Sequence, residues 1–194
     1  ADNYYAASRK TKYETASDIG KRYKGAGLGL KPAYEPIILV QKPIDKGLTV
    51  AENIIEQGTG ALNLEQTRIP YPEDEGKVGH NPHPNGRVSA NILRTDDFED
   101  GYDKFFVVPK VRQQADKFNH HPTIKPVELM QHLVKLVSFE QQTVLDPFMG
   151  SGSTGVACVQ LQRQFIGFEV EDSYFEICEK RIQQSLHAAT QSLF

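Results

Sequence analysis

This chain of 194 residues has only two cysteines, no long apolar run and no large excess of charge of one sign. Its two cysteines, Cys158 and Cys178, fall in segments with a helical pattern and have no partner at metal-ligand spacing, which predicts reduced thiols. The six histidines form no zinc pattern, so we expect no metal site. No apolar run approaches the roughly 18 residues of a membrane span, and no signal peptide precedes the chain. These absences predict a soluble, cytoplasmic protein without disulfides, metal or membrane contact.

The net charge of −3 gives no overall signal for nucleic-acid binding, so any contact with a polyanion has to come from a local patch. Two stretches are locally basic, residues 1–35 and residues 104–135. In the second stretch six lysines and arginines stand against two acidic residues. Such clusters are more often solvated surface charge than binding sites, so the charge pattern alone assigns no partner.

The first 120 residues are irregular in pattern. Residues 1–30 are polar and end in the flexible stretch GAGLGL, which predicts a loop or a segment that orders on contact. Among the short apolar pieces that follow, PIILV at 36–40 is typical of a buried strand, 49–57 of a short helix and 105–108 of another strand. The acidic, turn-rich stretch 70–85 predicts a surface loop.

The last third of the chain is much more regular. Apolar residues at helical spacing follow Pro126, and residues 143–146 are typical of a buried parallel strand. A glycine-rich loop, a helix from about Thr154 to Gln162 and a strand over 165–169 come next. Strand, loop, helix and strand in this order predict a parallel βαβ unit and an α/β fold.

A final helix is expected after the second strand. The spacing Ser173-x-x-Glu176 predicts a capping box at its start. Its apolar face consists of Tyr174, Ile177, the stem of Arg181 and Ile182. Packing of this face against the preceding elements would complete the unit.

The loop itself, LDPFMGSGSTG at 145–155, has the G-x-G-x-x-G spacing at Gly150, Gly152 and Gly155. Glycines in a βαβ turn let the backbone approach a ligand at the carboxyl ends of the strands. Glu169 lies 17 residues after Gly152, near the roughly 20 expected for an acid that accepts hydrogen bonds from ribose hydroxyls. Both a dinucleotide and S-adenosylmethionine use this arrangement.

Asp146 favours the second of these ligands. Its carboxylate would sit at the tip of the first strand, where it repels a pyrophosphate and attracts the sulfonium and α-ammonium groups of S-adenosylmethionine. A nicotinamide dinucleotide, and with it an NAD-dependent oxidoreductase, stays open as an alternative. A purely structural alternative is that Asp146 caps the turn while Gly150 and Gly152 permit it.

Three stretches together, HHPTIKPVELMQHLV, LDPFMGSGSTG and GFEVEDSYFEICEKRI, resemble the amino-methylating DNA methyltransferases, which make N6-methyladenine or N4-methylcytosine. The stretch LKPAYEPIILVQKP is similar to an upstream segment of many bacterial and phage members. The resemblance implies a doubly wound Rossmann-like fold, incomplete in this chain. Twenty-five residues follow Glu169, too few for the remaining strands, so the order resembles the permuted β class with its catalytic half upstream or on another chain.

The resemblance also implies the residues that bind S-adenosylmethionine. They are Asp146, Phe148, Gly150, Ser151, Gly152, Ser153, Thr154, Glu169, His121, Thr123 and Lys125. Asp146 would face the positive end of the cofactor and Glu169 the ribose, above a floor shaped by Phe148 and the two glycines. The hydroxyl residues at the helix start, with Lys125, would meet the methionine carboxylate.

Double-stranded DNA is the partner that the resemblance implies, and homodimers are common in the class. We expect residues 1–44 to lead from the catalytic half, 45–118 to recognise the target and 119–194 to bind the cofactor. The candidate phosphate contacts are Lys104, Lys110, Arg112 and Lys117. No base-reading residue is assigned.

The catalytic tetrapeptide of the family, Asp/Asn/Ser-Pro-Pro-Tyr/Phe/Trp, has no counterpart, since the sequence contains no Pro-Pro pair. Its polar residue accepts hydrogen bonds from the target amine and its ring stacks on the flipped base. We therefore assign no catalytic residue and expect no methyl transfer by this chain alone. The enzyme interpretation, with adenine favoured over cytosine, stands beside that of a non-catalytic cofactor- or DNA-binding module.

Overall fold

The computed structural model describes residues 35–71, 82–94, 118–121 and 123–191, together with Arg22 and the backbone of 106–107. The contacts divide the chain into two units, Ala1–Pro43 and Ile44–Phe194. The predicted loop over residues 1–30 and most of the predicted loop over 70–85 lie outside the described residues.

The PIILV segment of the first unit is not a strand. Residues 35–43 follow an irregular path with exposed side chains, so the prediction of a buried strand at 36–40 is wrong. An apolar β-branched run becomes a strand only when a neighbour satisfies its backbone N–H and C=O groups. No such neighbour pairs with it in the part of the chain that the structure describes.

The described part of the second unit contains four α-helices, one 3₁₀ turn and four short strands. In chain order they are α1 (Val50–Gln57), a 3₁₀ turn (Glu65–Thr67), β1 (Leu93–Arg94), β2 (Phe106–Val107), α2 (Val127–Val137), β3 (Thr143–Asp146), α3 (Ser153–Gln160), β4 (Gln164–Gly167) and α4 (Asp172–Gln191). β1 pairs in parallel with β2, and β3 pairs in parallel with β4. None of the helices described is long and apolar enough to cross a membrane.

Local signals explain the first two helices, and both predictions are confirmed. α1 starts after Thr49, whose hydroxyl accepts the N–H of Glu52 while the Glu52 carboxylate accepts the N–H of Thr49. It ends at Gly58 in the left-handed conformation. α2 starts directly after Pro126, where a fixed φ favours a helix start.

The predicted βαβ unit is confirmed as β3–α3–β4, and with it the α/β fold class. The first strand has the predicted bounds, and the second runs over Gln164–Gly167 where 165–169 was predicted. Leu145 is 59% exposed and its partner Ile166 50%. One face of the strand pair carries α3, while the other is uncovered within the described residues. Alternate side chains therefore remain accessible, and the prediction that the first strand is buried is wrong.

Small side chains let α3 sit at the centre of the unit. Ser153 to Cys158 are buried, and α3 packs against α2, α4 and β4. The packing is tight at Gly155, because a Cβ there would lie 2.5 Å from Ile182 Cδ1 on α4. The short residues of this helix thus bring α4 close to the glycine loop.

The start of α4 differs from the predicted capping box. The helix begins at Asp172, so Ser173 lies inside its first turn, where its hydroxyl meets Glu171 Oε1 at 3.3 Å. The carbonyl of Glu171 accepts the N–H groups of Tyr174 and Phe175, which closes the first turn. The prediction of the apolar face is confirmed, since Ile177 and Arg181 are buried on it.

Gly155→Ala tests the packing between α3 and α4. The added Cβ would lie 2.5 Å from Ile182 Cδ1 and 2.8 Å from Phe165 Cε1. We expect the free energy of unfolding, measured by urea denaturation, to fall by about 1–3 kcal/mol because of overpacking. Combining it with Ile182→Val removes the nearer methyl group and should recover part of the loss. Strictly additive losses would contradict this contact.

Candidate cofactor site

The glycine loop joins the carboxyl end of β3 to the start of α3. Gly150 (φ +52°) and Gly152 (φ +81°) are both in the left-handed region, which favours glycine. The Gly152 N–H donates to the Met149 carbonyl at 2.8 Å, and the Met149 N–H donates to the Phe168 carbonyl at 2.9 Å. The loop is thus tied to the segment after β4, so the carboxyl ends of both strands meet there.

Asp146 lies at the end of β3 and accepts hydrogen bonds from the glycine loop and the start of α3. Its Oδ1 accepts the N–H of Phe148 at 3.0 Å, and its Oδ2 accepts the hydroxyl of Thr154 at 2.6 Å. The carboxylate therefore caps the turn and fixes the start of α3, as the structural alternative expected. Two hydrogen bonds leave acceptor capacity on a group with about four lone-pair sites.

Glu169 follows β4 by two residues and reaches across to the same loop. Its Oε2 accepts the N–H of Gly150 at 2.9 Å, while Oε1 accepts those of Val170 at 3.0 Å and Glu171 at 2.9 Å. These donors, the Glu171 N–H first, lower the pKa of Glu169 below its ordinary value. The carboxylate is therefore ionised and oriented before any ligand arrives.

His121 packs against the glycine loop at Gly150. Its Nε2 lies 3.0 Å from the point that a Cβ on Gly150 would occupy, and its ring meets Tyr174 edge-on at 4.5 Å. The Thr123 N–H donates to His121 Nδ1 at 3.3 Å. Desolvation lowers the pKa of His121, although the nearby charge of Glu169 opposes the shift. A neutral imidazole therefore packs where Gly150 leaves room.

The serines of the loop bond inside the protein. Ser151 Oγ accepts from Asn119 Nδ2 at 3.2 Å, and the Ser153 hydroxyl donates to the Lys125 carbonyl at 2.9 Å. Arg181 Nη1 donates to Ser151 Oγ at 3.2 Å and to Ser153 Oγ at 3.3 Å. Both side chains are buried. Their hydroxyls join the loop to the segment before α2 and to α4.

The predicted site residues separate into two groups. Eight of them lie around the glycine loop: Asp146, Gly150, Ser151, Gly152, Ser153, Thr154, Glu169 and His121. Thr123 and Lys125 are joined to these residues through backbone atoms. Phe148 lies in the same loop and is 88% exposed. The four candidate phosphate contacts, Lys104, Lys110, Arg112 and Lys117, lie outside the described residues. The described residues contain no cluster of three His, Cys, Asp or Glu side chains that could hold a metal.

Sequence reasoning missed three side chains that build this site. Asn119 and Arg181 bond to the loop serines, and Tyr174 supports His121. The signal for two of them was present, because Tyr174, Cys178 and Arg181 share one face of α4 at helical spacing. Only the aliphatic stem of Arg181 was assigned a role, since no acidic residue lies three or four positions from it along the helix to suggest a partner.

A cavity of about 340 Å³ lies elsewhere, lined by Gln66, Lys135, Glu140 and residues 160–163. Arg163 directly precedes β4, so this cavity opens at the amino ends of the strands. A ligand held by the glycine loop lies at their carboxyl ends. The cavity is therefore separate from the predicted cofactor site.

A family model described as DNA methylase, N6_N4_Mtase, matches residues 3–180. The chain therefore belongs to this family of amino-methylating DNA methylases, and the predicted resemblance is confirmed.

Three known proteins illustrate what this chain is similar to. The chain is 34% identical to the type II methyltransferase M.HindIII of Haemophilus influenzae, over 88% of this chain and 48% of that protein. It is 26% identical to the DNA adenine methyltransferase YhdJ of Escherichia coli, over 93% and 53%. The solved complex of M1.HpyAVI with SAM is 39% identical over 40% of this chain and 37% of that chain, with a TM-score of 0.37. The chain spans about half the length of the two curated relatives.

Acid should weaken the fold through His121 and His132. Burial lowers the pKa of both below the ordinary 6.5, so the unfolded chain binds more protons as the pH falls below that value. The free energy of unfolding should therefore decline from about pH 7 to pH 5. His121→Gln should make this decline shallower in urea titrations at each pH. An equal slope in this variant and the unaltered chain would contradict the lowered pKa of His121.

Proposed function

We propose that this chain is the S-adenosylmethionine-binding part of a DNA methyltransferase that methylates an exocyclic amino group, adenine N6 in preference to cytosine N4. The observation that carries the proposal is the pair of carboxylates, Asp146 and Glu169, at the carboxyl ends of adjacent parallel strands with the glycine loop between them. Membership of the DNA methylase family supports it.

The acceptor sites of the two carboxylates fit this cofactor. Glu169 uses three of about four lone-pair sites on backbone donors, so Oε2 can accept one ribose hydroxyl. Asp146 keeps two sites and a negative charge for the sulfonium and ammonium groups. Both side chains are held by the backbone, so binding costs little of their conformational entropy.

The remaining contacts differ in kind from the ones that the motif implies. The hydroxyls of Ser153 and Thr154 donate within the protein, so we assign the methionine carboxylate to backbone N–H groups at the start of α3 and to Lys125. The Cβ position of Gly152 faces Cys178, so this glycine serves packing rather than the cofactor floor. Exposed Phe148 and Gly150 with its covering His121 would form that floor.

S-adenosylmethionine supplies the methyl group, which moves in line from the sulfonium to the amine without a metal or a covalent enzyme intermediate. The task of the residues described here is to bind and orient that donor, while a polar side chain and an aromatic ring act on a base flipped out of double-stranded DNA. The sequence contains no Pro-Pro pair. We therefore propose that the catalytic loop belongs to a part of the protein, or a second chain, outside these 194 residues.

We extend the proposal to the DNA contacts and to the cellular location of the protein. Residues 45–118 would recognise the target, with Lys104, Lys110, Arg112 and Lys117 on phosphates, while residues 1–44 would lead from the catalytic half and 119–194 hold the cofactor. The relatives M.HindIII and YhdJ are bacterial, so we place the protein in a bacterial or phage-infected cytoplasm. A homodimer, common in the class, would be visible by sedimentation.

Asp146→Asn distinguishes this cofactor from a dinucleotide. Removal of the charge should weaken S-adenosylmethionine binding by about tenfold, because an isosteric amide keeps the turn but attracts no cation. Isothermal titration with S-adenosylmethionine and, in parallel, NAD measures both affinities. Glu128→Gln, an exposed acid on α2, is the matched control and should change neither. Binding of NAD by the unaltered chain, strengthened by Asp146→Asn, would refute the methyltransferase proposal.

A methyl-transfer assay tests whether the catalytic loop lies outside these 194 residues. The chain alone should bind S-adenosylmethionine but transfer no tritiated methyl group to double-stranded DNA. Co-expression with a segment that carries the family's catalytic tetrapeptide should restore transfer. Transfer by the 194 residues alone would show that another loop performs the chemistry, and failure of the reconstituted protein would favour a non-catalytic binding module.

A further inference from the structure

One face of α4 lies directly against the glycine loop. Tyr174, Cys178 and Arg181 follow one another by four and three residues, so they point to the same side of the helix. Tyr174 supports His121 and Cys178 lies against Gly152, where an added Cβ would be 2.4 Å from Sγ. Arg181 is the polar member of this face, and it is only 7% exposed.

The Arg181 guanidinium bonds to the loop at three atoms. Nη1 donates to the Ser151 carbonyl, to Ser151 Oγ at 3.2 Å and to Ser153 Oγ at 3.3 Å. All three bonds come from Nη1, whose two N–H groups have directions fixed by the planar guanidinium, so one N–H is shared between two acceptors. The charge of the guanidinium strengthens each of these bonds relative to one from a neutral donor. Arg181 thus fixes both the backbone and the side chains of the turn.

The same two serines also bond to Asn119 and Lys125, which precede α2. Ser151 Oγ also accepts from Asn119, and the Ser153 hydroxyl donates to the Lys125 carbonyl. Arg181 therefore connects α4, the loop and the segment 119–125, which is the segment proposed to hold the methionine end. A shift of the guanidinium would move three parts of the site together.

We propose that Arg181 is a positioning residue for S-adenosylmethionine: without touching the cofactor, its buried guanidinium holds Ser151 and Ser153 so that the loop and the segment 119–125 are in place before binding. This inference rests on the proposed function. Arg181→Lys keeps the charge, but its ammonium nitrogen lies one bond nearer the backbone than Nη1 and lacks the planar N–H directions, so the variant should loosen the loop and weaken the binding of S-adenosylmethionine by about tenfold.

Arg163 provides a matched control. It is also 7% exposed and also bonds to uncharged oxygens, Ser138 O at 3.0 Å and Gln66 Oε1 at 3.0 Å. These contacts lie at the amino end of β4, away from the glycine loop. Arg163→Lys should therefore cost stability as Arg181→Lys does, while it changes the affinity for S-adenosylmethionine by less than about twofold.

The experiment compares the unaltered 194-residue chain with Arg181→Lys, Arg163→Lys and Ser151→Ala. Urea denaturation gives the free energy of unfolding, and titration at a temperature where all are folded gives the dissociation constant. Ser151→Ala removes the shared acceptor hydroxyl but leaves the Ser151 carbonyl, so it should weaken binding by less than Arg181→Lys, and it carries the test if that variant does not fold. Equal affinity losses in the two lysine variants, or an unchanged affinity in Ser151→Ala, would overturn the proposal.

Hydrogen exchange of the ligand-free chain gives a readout that does not depend on the cofactor. Arg181→Lys should speed amide exchange over residues 149–154, and Arg163→Lys should not. If the unaltered chain binds no S-adenosylmethionine, the proposed function fails, while the exchange comparison still decides whether Arg181 holds the loop. Unchanged exchange in Arg181→Lys would refute that role.

Discussion

The close approach of α4 to the turn after β3 is the constraint on which the rest of the site depends. Gly152 can occupy this turn because it has no side chain: a Cβ would overlap Cys178, and its φ of +81° disfavours other residues. With the helix this near, Arg181 Nη1 reaches the loop serines and Tyr174 supports His121. The distance between helix and turn therefore sets the contacts that α4 makes with the loop serines and with His121.

The sequence predicted well what is settled by neighbours along the chain. The β3–α3–β4 unit follows from apolar strands, glycines and a helical pattern that are adjacent in sequence. The PIILV segment fails the same reasoning, because a strand needs a partner that its own residues do not supply. Ser173 fails for a related reason, since the carbonyl of Glu171 already closes the first turn of α4.

Residue types in the site were also easier to predict than their bonding. Asp146 and Glu169 were predicted to face a ligand, and what the structure shows is that each carboxylate accepts backbone N–H groups. Ser153 and Thr154 were predicted to start the helix near a ligand carboxylate, and the structure adds that their hydroxyls donate to Lys125 O and Asp146. A linear pattern does not reveal which acceptor is nearest once the chain has folded, and Arg181 was missed for the same reason.

Glu169 holds two parts of the chain through its two carboxylate oxygens, and this has a consequence for how such sequences evolve. One oxygen of this carboxylate anchors the glycine turn and the other orders the chain before α4, so loss of the acid would disturb folding even where no cofactor is used. A duplicated copy that had given up methylation would remain under selection to keep it. An acid at this position therefore reports the architecture of the turn and does not by itself identify an active enzyme.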